Sequence, residues 1–470
     1  MTRRRAAALT RAVLVLLTLA VVAAACASSS GGDDGAATPA TDSEPNDTSE
    51  PTDSSEPVGD STTTAPTGQN TASFRGVTAD TVKVGVTVPD FEALQAAGLP
   101  NYQGDNRIGY QVFFDRINAE GGIHGRMIEP VYVDFDLLEA TSQDAACVKL
   151  AEDEQVFIVL YGFIGENNVC LTDLHETMVM THAYQSTEAR DRSGDTVWLQ
   201  LEPADDEKAR ILGSVVAEAA YLDDTTIGIL ANTTTSGDIA GEALKATLAE
   251  AGHDSTVYLA TEQGNDPVAS DNEMRTLAQR MQSDGVDFLF NLSGGGSATA
   301  DLADAGFHPP RIAHTILNLD TEANGDQSLL DGALTLSSPS ADDVWEEPDF
   351  RAACIDPILE VHPELTEEFS YLPDSDQQAQ GERNWFTPTR NACNHTMLLQ
   401  RLGEIAGAEL TNDSFRAALD ELGTVELYGY GAANFRSDGK WDGLDEFSLL
   451  EYDAANDSLD PIGEPITIDR

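Results

Sequence analysis

From Val82 to Ser337 two kinds of segment alternate, and this alternation constrains the fold more than any other feature of the chain. Short β-branched or aromatic runs (82–86, 128–135, 156–161, 226–230, 286–291 and 334–337) sit between longer stretches with helical apolar spacing (107–119, 140–153, 206–221, 239–251 and 273–283). Strand then helix, repeated in this way, is the pattern of parallel sheets covered by helices on both faces. The body is expected to be α/β.

The alternation divides into two runs, 74–200 and 203–336. Helical stretches follow (350–361, 392–407 and 412–422), and then 434–468 reads as hairpin strands. The hairpin cues are Ser437-Asp438-Gly439 and Asn456-Asp457-Ser458, turn chemistry set between alternating residues. A chain that builds two α/β units and then adds elements of both kinds crosses between the units more than once. Two lobes joined by hinge strands are expected, lobe 1 from 74–200 and 338–431, lobe 2 from 203–336 and 432–468.

The N-terminus has a different character. Arg3, Arg4, Arg5 and Arg11 precede an apolar run from Ala12 to Ala25 that ends in Ala23-Ala24-Ala25-Cys26. Residues 1–25 thus have the three-part layout of an export signal. Cys26 after small residues resembles a bacterial lipobox, in which the thiol is lipidated and becomes the new N-terminus, although that pattern prefers Leu where Ala23 stands. Ordinary cleavage with Cys26 incidental is the alternative. Residues 27–73 are almost entirely Ser, Thr, Gly, Pro, Ala, Asp and Glu, with Val58 the one large aliphatic. Such a segment buries too little surface to offset its ordering entropy and is expected to be a disordered tether.

Charge narrows the partners. With 26 Lys+Arg against 81 Asp+Glu the formal net charge is −55, which repels phosphate backbones and anionic headgroups. No nucleic-acid partner is expected. Acidic runs such as Asp205-Asp206-Glu207 and Glu346-Glu347 read as solvated helix starts and turns. Beyond Cys26 four cysteines remain, an even number that in an exported chain reads as two disulfides. Of three pairings, order along the chain favours Cys147–Cys170 and Cys354–Cys393. A metal site is the competing reading, and no CxxC or Cys/His cluster accompanies these residues.

Two stretches carry a family resemblance. Thr81-Val82-Lys83-Val84-Gly85-Val86 opens the body, and Ile117-Asn118-Ala119-Glu120-Gly121-Gly122-Ile123-His124-Gly125-Arg126 leads into a strand with Asp134 and Asp136. Together they resemble the start of the leucine/isoleucine/valine-binding family, the type I solute-binding proteins of ABC importers. Physically, a helix ends near Ala119-Glu120, and the glycines supply turn geometry before the next strand. The loop closed by Cys147 and Cys170 is similar to one closed by a disulfide in that family. The resemblance implies a clamshell that binds a small polar solute, amino acid or amide-like, without a cofactor. It also implies delivery to a membrane permease from an extracytoplasmic position, and the lipid expected on Cys26 anchors the chain to the membrane there. The same fold serves ligand-sensing receptors that signal without transport, which is the alternative.

Open parallel sheets bind ligands at the carboxyl ends of their strands, in loops that lead into helices. By that rule the candidate contacts are Phe163, Glu166, Asn167 and Asn168 after the strand ending at Tyr161, and Tyr184, Gln185 and Ser186 after the strand at 179–183. From the second lobe come Thr234 and Ser236 after the strand ending at Leu230, and Ser293 and Gly294 after the strand ending at Asn291. The place where the family reads an Ala/Ser/Thr motif holds Gln185 with Ser186 beside it. A ligand ammonium calls for a buried acid; Glu166, Asp238, Asp320, Asp90 and Glu92 all remain open.

Enzyme motifs do not assemble. The run Gly294-Gly295-Gly296 fails the dinucleotide spacing because Thr299 stands where the third glycine belongs, and it lacks a P-loop lysine. No G-x-S-x-G elbow appears, and the eight histidines show no H-x-x-x-H or H-E-x-x-H pair.

Overall fold

Val82, Val84, Val86 and Val88 alternate along the first strand and pack against Tyr110, Phe113, Phe114 and Ile117 of the first long helix. This pairing of period 2 with period 3.6 builds the core of the first lobe. The computed structural model describes residues 70–468 apart from 97–101, 138, 164, 183–184, 262–266, 293–296, 316–325 and 337–340. The export signal, Cys26 and the tether up to residue 69 lie outside the described residues.

The first sheet is parallel throughout, in the order β2-β1-β3-β4-β5: β1 (Thr81–Pro89), β2 (Met127–Phe135), β3 (Ile158–Tyr161), β4 (Met178–Thr181) and β5 (Trp198–Gln200). Its helices include α1 (Phe91–Ala96), α2 (Asn106–Ala119), α3 (Ala140–Val148) and α4 (Thr187–Asp191). The second sheet runs β14-β13-β10-β9-β8-β6-β7. Five of its strands are parallel: β6 (Ile227–Asn232), β7 (Ser255–Ala260), β8 (Phe288–Asn291), β9 (Arg311–His314) and β10 (Leu334–Leu336). It is flanked by α5 (Asp205–Glu218), α6 (Thr235–Glu250), α7 (Pro267–Asp284) and α8 (Ala298–Asp304). The chain then returns to the first lobe through short helical turns, α9 (Phe386–Ala406), α10 (Asn412–Leu422) and the hairpin β11 (Thr424–Leu427) and β12 (Gly431–Asn434). An antiparallel hairpin, β13 (Glu446–Asp453) and β14 (Ser458–Thr467), completes the second sheet, turning at Asn456-Asp457 as expected.

The last crossing falls later than the boundary expected at 432. Ala433 pairs with Val425 across the β11–β12 ladder, and Ala433, Phe435 and Trp441 all pack in the first-lobe core. The turn at 437–439 therefore folds back on the first lobe, with Arg436 N–H donating to the Lys440 carbonyl at 2.9 Å. The second sheet begins only at Glu446.

The glycine-rich string behaves as its chemistry demands. Gly122 N–H bonds the Ile117 carbonyl at 2.8 Å to close α2, and Ile123 and Arg126 exchange backbone hydrogen bonds across a turn in which His124 and Gly125 both have positive φ. Arg126, fully buried, donates to the carbonyls of Thr78, Thr71 and Ala408. It ties the entry of the body to the loop before α10. Both disulfides form in the favoured pairing: Cys147–Cys170 with Cα atoms 6.3 Å apart, Cys354–Cys393 at 5.4 Å. No helix among the described residues is long and apolar enough to cross a membrane.

Candidate functional site

The carboxyl ends of β3, β4 and β5 come together where the chain first crosses to the second lobe. Leu201 N–H reaches the Thr181 carbonyl at 3.2 Å, and Asp205 N–H reaches the Gln185 carbonyl at 2.8 Å. Gln185 Nε2 in turn donates to the Phe163 carbonyl at 3.1 Å, which locks the loop after β4 to the loop after β3. Helix α6, which follows β6 in the second lobe, comes against the turn Gly165–Asn167. Loops from both sheets therefore meet at this point.

The backbone is strained here. Tyr161, the last residue of β3, has φ 74°, a conformation a bulky side chain adopts only when its surroundings enforce it. Its ring stacks on His182 with centroids 4.6 Å apart. Burial lowers the His182 pKa to about 4, so the imidazole is neutral at pH 7. Thr87 on β1 donates to the Gly162 carbonyl at 2.6 Å and holds the strained segment from the neighbouring strand.

A buried charge cluster surrounds this point. Glu202, on the crossing itself, pairs with Lys208 of α5 at 2.7 Å and lies 3.6 Å from Arg390 of α9. Burial works against its ionisation, but Lys208 and Arg390 more than offset that and hold its pKa below the ordinary value. Asp205 is pushed up to about 6, by burial first, with Lys208 opposing and Asp206, Glu202 and Glu166 adding to the rise. Glu166 is raised by burial too, with the neighbouring Ser186 acting against the rise. Four acids and two bases from three segments thus share one partly dry region, the setting in which electrostatic interactions are strongest.

The expected contacts divide in this frame. Glu166, Asn167, Gln185 and Ser186 come together, with Asn167 donating to Gln143 at 2.8 Å and Ser186 accepting from Ala189 N–H at 3.1 Å as the cap of α4. Phe163 and Asn168 turn their side chains inward. Phe163 packs edge-on against Phe135 in the core, and Asn168 uses both amide atoms on the Phe163 backbone, each at 2.7 Å, so these side chains shape the loop from beneath. Thr234 caps α6 by accepting from Gly237 N–H at 3.1 Å, and Ser236 is half-buried in its first turn. Tyr184, Ser293 and Gly294 lie outside the described residues, as does Asp320. The run Asp205-Asp206-Glu207 does start a helix, but Asp206 is fully buried where a solvated face was expected.

Sequence reasoning passed over Tyr161, His182, Glu202, Lys208 and Arg390. His182 carried a usable signal, as a polar aromatic directly after a buried strand. Arg390 carried none, because it reaches this region only through the packing of α9 beside α2, in which Ala392 meets Gly109 and His395 meets Tyr110 at 2.7 Å. Among the described residues the group with metal-ligand spacing is Cys147, Cys170 and His175, and both its sulfurs are committed to a disulfide.

Comparison with known proteins adds to this geometry. A family model described as periplasmic binding protein matches residues 81–348. An ABC transporter substrate-binding protein from Desulfitobacterium hafniense, solved with Leu, is 17% identical with a TM-score of 0.53, over 82% of this chain and 100% of that one. A solute-binding protein of an ABC transporter from Rhodopseudomonas palustris, solved with 3,4-dihydroxy benzoic acid, is 13% identical with a TM-score of 0.57, over 83% and 98%. A fatty acid ABC transporter substrate-binding protein from Thermomonospora curvata is 14% identical with a TM-score of 0.56, over 86% and 96%. At these identities the likeness is one of fold. No curated protein sequence matches the chain.

Proposed function

The chain belongs to the periplasmic binding protein family, in its type I form, and from that premise we propose that it is the extracytoplasmic solute-binding component of an ABC importer. It holds a small polar solute, amino acid or amide-like, between its two lobes and releases it unchanged to a membrane permease. Cys26 carries the lipid that anchors it, and the tether expected over residues 27–73 ends in a stretch held on the body, where Arg126 bonds the Thr71 carbonyl and Ser73 the Leu410 carbonyl. The lobes divide at three crossings, after β5, after β10 and between β12 and β13.

The observation that carries this reading is the meeting of loops from both sheets at the carboxyl ends of β3, β4 and β5. Glu202 on the crossing, Lys208 in the second lobe and Arg390 in the first form one buried cluster there. A guest at this point touches both halves and biases their closure, which is how a binding protein signals occupancy to its permease. The neighbouring structures were solved with chemically different guests, so likeness of fold does not select the solute.

The experiment is a thermal-shift screen of the protein against amino acids, amides, urea, aromatic acids and short peptides. A ligand specific for the native state raises Tm by mass action, by about 2.7 kcal/mol of stability at a hundredfold excess over Kd. Solution scattering with the hit should show a more compact particle. A protein that no compound stabilises, or a hit that it converts chemically, defeats the proposal.

A further inference from the structure

Arg390 is only 8% exposed, and among the described residues its buried Nε–H has no hydrogen-bond partner. Its nearest acid, Glu202, stands 3.6 Å away, beyond hydrogen-bond distance, and that carboxylate is already engaged by Lys208 at 2.7 Å. What does hold Arg390 is aromatic. Its guanidinium carbon lies 3.9 Å from the centre of the Tyr430 ring and 4.6 Å from that of Phe386. Ring contacts fix the position of a guanidinium while leaving the N–H groups at its edge unengaged. Buried guanidinium groups normally satisfy several donors, and leaving them unmet is costly.

We infer that Arg390 is the specificity-determining anchor for a carboxylate on the bound solute. The inference rests on the solute-binding reading and narrows it, since amides without a carboxylate are then excluded. Phe386, Tyr430 and Arg390 all belong to the first lobe, whereas Lys208 belongs to the second and Glu202 to the crossing between them. Parting of the lobes shifts Glu202 and Lys208 relative to Arg390, and the preset guanidinium then offers a planar carboxylate a bidentate partner. Charge favours a carboxylate over a phosphate. Arg390 and Lys208 stand among four acids, Glu202, Asp205, Asp206 and Glu166, so a monoanion adds less repulsion to an already acid-rich cluster than a dianion does.

The test measures calorimetric affinity of the full protein for acids paired with their amides: propionate and propionamide, benzoate and benzamide, leucine and leucinamide, with inorganic phosphate as a further arm. The wild type should bind at least one acid tenfold or more tightly than its amide. Arg390→Met should remove that preference, and Arg390→Lys should restore it only in part, because an ammonium lacks the planar fork. Glu202→Gln, which removes the competing carboxylate, should tighten acid binding severalfold and leave amide binding unchanged. That opposite sign keeps the test decisive even where the Arg390 variants fail to fold. An amide bound as tightly as its acid, phosphate as the preferred ligand, or acid affinity unchanged in Arg390→Met or in Glu202→Gln overturns the inference and leaves the solute-binding reading standing. A wild type that binds none of these compounds sinks this inference; if it also gives no hit in the broader thermal-shift screen, the solute-binding reading falls with it.

Discussion

Thr187 at the start of α4 and Asp206 at the start of α5 are joined twice, Thr187 N–H to Oδ1 at 2.9 Å and the Thr187 hydroxyl to Oδ2 at 2.5 Å. Helix α4 belongs to the first lobe and α5 to the second, so this pair of hydrogen bonds ties the lobes beside the first crossing. Asp206 also receives Arg210 at 2.8 Å from the exposed side of α5. Hydrogen bonds to a buried carboxylate contribute more than neutral ones, and Asp206→Ala should lower stability by about 1.5–3 kcal/mol. Thr187→Val should cost less, and the double variant less than the sum, because the two changes remove one shared interaction. Urea unfolding of the three variants measures the coupling, and strict additivity would show that the tie contributes nothing.

Buried histidines set the response to acid. Burial lowers His182 to about 4 and His314 and His395 to about 3, whereas their unfolded pKa lies near 6.5. Between those limits the unfolded chain binds more protons, so each histidine contributes stability that is complete above pH 6.5 and is lost as pH falls toward 4. Asp205 has the opposite sign: its folded pKa of about 6 exceeds the ordinary 3.8, and its contribution falls as pH rises from about 4 to 6. Glu166, also raised, acts in the same direction as Asp205, and the three histidines outweigh the two acids. Stability should rise between pH 4 and 6.5, and Asp205→Asn should steepen the rise; a flat profile in urea unfolding would contradict these assignments.

The alternation of strand and helix made both sheets legible because burial on both faces forces continuous β-branched runs such as Val156 to Tyr161. What escaped has the opposite physics. In the edge strand β7 only Tyr258 is buried, while β5 is three residues long and β9 four, so none of them gives a long enough buried run to stand out from a loop. In the site, loop positions could be placed from strand ends, as with Gln185 and Ser186. Which side chains face down could not: Phe163 and Asn168 look like exposed loop residues in sequence, yet Phe163 is held by packing against Phe135 of β2 and Asn168 by its amide bonds to the Phe163 backbone. The cluster of Glu202, Lys208 and Arg390 joins positions up to 188 residues apart in sequence, and no local pattern marks such a meeting.

The two disulfides have separable roles. Cys147–Cys170 clips α3 to the segment after β3 beside the site loops, and Cys354–Cys393 pins α9 to the helical turns that lead to it. For closed loops spanning 23 and 39 residues, chain-entropy arguments assign about 3–4 kcal/mol to each bond. Replacing the pair Cys354 and Cys393 by Ser should lower Tm and, by loosening the helix that presents Arg390, weaken ligand binding. Replacing Cys147 and Cys170 should disturb the loop 162–168 instead. Peptide mapping without reductant checks the connectivity, and any crossed linkage between the two pairs would refute it.

Gly121 and Gly122 look interchangeable in sequence, but the structure separates them. Both have positive φ, 113° and 76°, so any side chain at either is strained. A Cβ on Gly121 would meet nothing within 4 Å, whereas a Cβ on Gly122 would lie 2.0 Å from the Arg126 carbonyl oxygen. That oxygen accepts the Ile123 N–H at 2.8 Å, and the Arg126 side chain ties together Thr71, Thr78 and Ala408. Gly121→Ala should therefore cost about 1 kcal/mol, the conformational term alone. Gly122→Ala adds a backbone clash that the buried Arg126 cannot relieve, and it should cost several times more, by about 3 kcal/mol or above. Chemical denaturation of the two variants side by side decides the matter: equal losses would mean that the turn from Ile123 to Arg126 relaxes freely and that the Arg126 network does not hold it.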